Sequence, residues 1–173
     1  KAAYPQMSFK YEVEGSENCN KIKELSLKQM TLQSNINGLM KDPNIGNDSI
    51  ESIVGRMLQA YKQDIKTNYI FKEPMKAYAY YALFQTVQLG NVNTLIFNPR
   101  NNKDDVKVFA AVATSWDTYY PGAERGKNLH NIAIEGMKDI RIIENQMAQQ
   151  QIEASKVSVN GCIELALQDN KGQ

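Results

Sequence analysis

Apolar positions recur at helical spacing along most of the chain. Ile22, Leu25, Leu32, Ile36 and Leu39 share one face and predict a first helix over about residues 17–41. Lys41-Asp42-Pro43-Asn44-Ile45-Gly46 reads as a turn. Asp48-Ser49-Ile50-Glu51 has the form of a capping box. Ile50, Val54, Met57, Tyr61, Ile65 and Tyr69 then carry a second amphipathic helix, which stops before Pro74. Pro74 suits the first turn of a third helix. Its face is Ala77, Tyr81, Phe84 and Val87, and Gly90 weakens its end.

Asn98-Pro99-Arg100-Asn101-Asn102 is a loop, from which Asn102 with Asp105 can cap a fourth helix. Val106, Phe109, Val112, Ala113 and Trp116 mark its face. Asp104 and Asp105 sit where the helix dipole favours negative charge. A β-hairpin joining residues 95–97 to 106–112 is the competing reading. Tyr119-Tyr120-Pro121-Gly122 breaks the chain.

A long helix follows from about Gly126 into the 150s or 160s. Its stripe is Leu129, Ile132, Ile140, Ile143 and Met147; Gln149-Gln150-Gln151 thins it, and Val157 and Leu165 resume it. Some 40 residues of helix span about 60 Å, more than a domain of this size holds. The helix must bend, break near Asn160-Gly161, or project. At the other end, Phe9, Tyr11 and Val13 alternate with polar residues and predict a short N-terminal strand. A break at Gly161 would let residues 157–167 pair with it.

The expected fold is therefore mainly α: about five helices in an irregular bundle, with a long C-terminal helix. Residues 1–173 read as one domain, with 1–15 and 168–173 peripheral. The 173 residues suffice for a sizeable core. Twenty basic and 19 acidic residues are interspersed, for a net charge of +1. That balance argues against nucleic acid and against a polybasic membrane contact. No segment approaches the roughly 20 apolar residues of a membrane span. Asn and Gln together number about 30, a compositional bias and not a site.

Cys19 and Cys162 are the only cysteines. A disulfide between them is expected, with two free buried thiols as the alternative. The bond implies a periplasmic or secreted protein, its signal peptide removed. It also requires the two Cα atoms within about 7 Å. That conflicts with an up-and-down bundle and puts the first helix antiparallel to the C-terminal segment.

Residues in a catalytic or metal-binding pattern are scarce. His130 is the only histidine, and no metal-ligand, phosphate-loop or nucleophile motif is present. No cofactor and no metal are expected. Binding surfaces are better candidates. Trp116, Tyr119 and Tyr120, with Glu124 and Arg125, form an aromatic and charged turn of a kind suited to protein contacts. The same residues could instead fasten the loop to the core. Ile143 and Met147 on the long helix could meet a partner helix. These features suggest a non-enzymatic protein that binds another protein, with no oligomeric state implied. An accessory subunit of a bacterial envelope or secretion assembly is the first expectation. A periplasmic immunity or inhibitor protein that blocks an enzyme, and an envelope hydrolase using carboxylates, are the alternatives.

Overall fold

A computed structural model describes the backbone of residues 5–171 and the side chains of residues 15–164. Five helices and one two-stranded hairpin succeed one another along the chain. Helix α1 is Pro5–Met40 and buries the predicted stripe: Leu25, Leu32 and Ile36, with Ile22 and Leu39 half-buried. The N-terminal strand does not form, because α1 already runs through residues 9–13. The alternating side chains themselves lie outside the described residues.

Helix α2 is Asn47–Ile65 and buries Val54, Tyr61 and Ile65. Its start corrects the capping-box reading. Gly46 occupies the cap with extended backbone and no side-chain hydrogen bond. A π-helical turn, Lys66–Ile70, follows and inserts Tyr69 and Ile70 into the core.

The third helix is shorter than the spacing predicts. Helix α3 covers only Ala77–Leu83. Val87 instead belongs to strand β1, Thr86–Leu89, which pairs antiparallel with β2, Val92–Leu95. Gly90 holds φ at 65°, which closes the two-residue turn without a Cβ penalty. The hairpin thus lies one segment before the one that sequence offered, and Val106–Val112 is helical. Glutamines of α1 satisfy the open edge of β1. Gln29 Nε2 donates to the Thr86 carbonyl at 2.9 Å, and Gln33 both donates to the Gln88 carbonyl and accepts from its N–H. Buried Gln85 ties three elements together. Its Oε1 accepts from the Tyr61 hydroxyl at 2.7 Å and its Nε2 donates to the Leu25 carbonyl at 3.0 Å. A buried amide with partners on both ends carries no desolvation penalty beyond what its bonds offset.

Helix α4, Lys103–Tyr119, follows the prediction closely. The Asn102 side chain accepts from the N–H groups of Asp104 and Asp105. Val106, Phe109, Val112, Ala113 and Trp116 are all buried. Asp105 is buried too, at 2% exposure. Its carboxylate accepts from Lys62 Nζ at 2.7 Å and from the Asn98 N–H at 2.8 Å. This fixes the start of α4 against α2.

Helix α5, Glu124–Lys171, has 48 residues and no break at Gly161. It spans about 72 Å. Of the three solutions open to a helix this long, the chain uses projection. The first part packs on α4 through Leu129, Ala133 and Ile140. Gly136 lets α5 approach the preceding loop: a Cβ there would lie 2.5 Å from the Pro99 carbonyl oxygen.

The expected disulfide is absent. Cys19 and Cys162 are both free and exposed. Cys162 stands about 33 Å along α5 from Ile140, the last buried residue of that helix among the described residues. The antiparallel docking of α1 on the C-terminal segment, inferred from that bond, falls with it: α5 packs chiefly on α4, and α1 on α2, α3 and β1.

Candidate interaction surfaces

Three surfaces stand out: the aromatic turn, the free part of α5, and a groove that the sequence did not reveal.

The aromatic turn is mostly interior. Trp116 is only 7% exposed, and its Nε1–H donates to the Pro74 carbonyl at 3.0 Å. Its ring lies 5.6 Å from Tyr80 and 4.9 Å from Tyr120, centroid to centroid. The Arg125 guanidinium covers the cluster at 5.4 Å from Tyr80 and 6.0 Å from Trp116. Tilted rings in contact under a cation are a fastening between α3, α4 and α5. Gly122, with φ at 78°, makes the reversal into α5. Tyr119, Tyr120 and Glu124 remain exposed. Beside them Tyr80, Arg125, Lys127, Asn128 and Asn131 help line an open, polar hollow of about 440 Å³. His130 Nε2 meets the Asp117 carboxylate across the α4–α5 turn.

The free part of α5 is a different surface. From Arg141 to Glu164 every residue but Gly161 is exposed. Ile143 and Met147 continue the buried stripe of Leu129, Ala133, Gly136 and Ile140 in phase, at spacings of three and four. Met147 is nevertheless 61% exposed. A second line, Ile152, Val159 and Ile163, runs on the opposite side and is also open. Arg100 with Asp139, and Lys103 with Glu144, form ion pairs where α4 begins and α5 leaves it. Beyond that point the helix has no neighbour among the described residues.

The groove lies between α1 and α2. Leu27, Thr31, Leu32, Met57, Ala60 and Tyr61 line a mostly apolar hollow of about 510 Å³. Leu27 is 55% exposed on its rim. Lys28 Nζ donates to Asp64 at 2.6 Å and bridges the two helices at one end. The lysine contact holds the Asp64 carboxyl below the usual range, with the Asn68 amide adding to it. Nearby Tyr69 has its hydroxyl pushed up to about 12, first by burial and then by its bond to Glu24. Leu27 falls off the buried stripe of α1, which is the one trace of the groove in the sequence.

No group of three or more His, Cys, Asp or Glu among the described residues is placed to hold a metal ion. No helix among them is long and apolar enough to cross a membrane. Each of the two hollows just described has one carboxylate in its lining, Asp64 or Glu124. Comparison with protein-family models, with curated proteins and with solved structures returns no match.

Proposed function

We propose that the protein is a non-enzymatic assembly subunit that engages another protein through the projecting part of α5. The observation that carries this is the arm of residues 141–164. It extends about 36 Å past the body and exposes Ile142, Ile143, Met147, Ile152, Val157, Val159 and Ile163. Helices without tertiary packing are marginal in water, and contiguous exposed apolar residues mark interaction sites. A helix of this kind gains its stability where it docks. The inhibitor reading has less support, because Trp116, the centre of its expected contact, is buried under Arg125.

The setting proposed is a bacterial envelope or secretion assembly. Since both thiols are free, the cysteines no longer argue for that compartment. Fractionation of the source cells tests it: recovery with cytosolic proteins would contradict it. The docking role is tested with Ile143→Glu, Met147→Glu in the native host. The expected result is loss of the chain from its native complexes on a sizing column, with an unchanged melting temperature. Retention of every complex would sink the proposal.

A further inference from the structure

The arm and the α1–α2 groove are both uncovered, and both belong to this chain. The groove offers two apolar walls, Leu27, Thr31 and Leu32 on one side and Met57, Ala60 and Tyr61 on the other. It runs along about eight residues of each helix, roughly 12 Å. The arm offers Ile152, Val159 and Ile163 at spacings of seven and four, one face of a helix about 16 Å long. A third helix laid into the cleft between two others is ordinary ridge-into-groove packing.

Charge adds a register. Between residues 145 and 163 the arm carries only Glu153 and Lys156, one turn apart on the same flank of that apolar line. Lys28 and Asp64 are the only charged residues lining the groove. Seating the arm with Glu153 toward Lys28 and Lys156 toward Asp64 gives four charges of alternating sign. The opposite placement sets like against like. Such a cluster fixes orientation more than it adds affinity. Within one molecule the contact is not made: α5 packs chiefly on α4, and the arm residues Ile152, Val159 and Ile163 are exposed.

Resting on the docking role proposed above, we infer that the arm's partner is a second copy of this chain: Ile152, Val159 and Ile163 of one copy seat in the α1–α2 groove of another. The contact is heterologous, since it joins two different surfaces.

Two variants separate the surfaces. Ile152→Glu, Val159→Glu disables the arm and keeps the groove. Leu27→Glu, Ala60→Glu disables the groove and keeps the arm. All four positions are exposed, so neither variant touches the core. Sedimentation is expected to show the unaltered chain associating with concentration and each variant alone monomeric. An equimolar mixture of the two variants is expected to regain a 1:1 complex. Self-association of the groove variant would mean that arms pair with arms, and would overturn the inference. A second measurement uses the unaltered protein. Heavy- and light-isotope chains are mixed and treated with an amine cross-linker. A Lys28–Lys156 link joining heavy to light chain is expected; links from Lys156 to other sites only would contradict the seating. If the unaltered chain stays monomeric while the Ile143→Glu, Met147→Glu variant loses its native complexes, the second-copy inference fails and the docking role stands.

Discussion

Helix α5 is two regions under one sequence pattern. Up to Ile140 its apolar stripe is covered by α4 and forms part of the core. From Ile143 the same stripe, in the same phase, faces open space. Periodicity therefore identifies which side of a helix wants covering, and says nothing about what covers it. The difference arises at Lys103, where α4 starts: α5 outruns the helix on which it chiefly packs. The body half supplies folding energy, and the arm half supplies surface.

The sharpest way to break this division is to cut side chains in both regions. Phe109→Ala, in the core beside Phe84 with ring centroids 5.7 Å apart, is expected to cost about 3–5 kcal/mol in chemical denaturation. Met147→Ala is expected to stay within about 0.5 kcal/mol at low protein concentration. Equal losses would erase the distinction. The buried bridge at the start of α4 comes next. Asp105→Ala leaves Lys62 with a half-buried charge and no carboxylate, and about 3 kcal/mol of destabilisation is expected by thermal melting. Gly136→Ala forces a Cβ against the Pro99 backbone and is expected to lose about 1–3 kcal/mol. Gly161→Ala on the arm meets nothing within 4 Å, so it is expected to leave stability unchanged or slightly raised.

Another small effect concerns the groove. Asp64→Asn removes the Lys28 contact, but both side chains are over a third exposed, so under about 1 kcal/mol is expected near neutral pH. The sign follows from the lowered Asp64 pKa. Its contribution is complete above the unfolded carboxyl range near 4 and is lost as pH falls through the folded value. The variant and the unaltered chain should therefore converge in stability at the acid end. At the alkaline end the raised Tyr69 hydroxyl acts in the opposite sense. Its neutral form favours the fold below about pH 10, and that contribution fades as pH rises toward 12. Tyr69→Phe is expected to flatten this alkaline decline.

Much of the body was legible in sequence. The stripe of α4, its Asn102 cap and its acidic first turn were readable because cap chemistry and burial agree there. The face of α1 was readable for the same reason. The hairpin was hidden because Val87 follows Phe84 at helical spacing, while the deciding feature is the positive φ of Gly90, which looked like a weak helix end. Two cysteines in a chain define a candidate bond but no distance, and α5 carries Cys162 far from the body. Trp116 was a fair candidate for contact by residue type. Its burial depends on Pro74 and Arg125, which lie 42 and nine positions away. The groove depends on how two helices meet, a relation no single-helix pattern contains.

Hydrogen exchange across α5 at two protein concentrations tests the division most directly. In dilute solution the amides of Leu129–Ile140 are expected to exchange slowly, and those of residues 145–164 nearly as fast as a free peptide. Raising the concentration is expected to slow the arm and leave the body half unchanged. An arm that is as protected in dilute solution as Leu129–Ile140 would contradict the account.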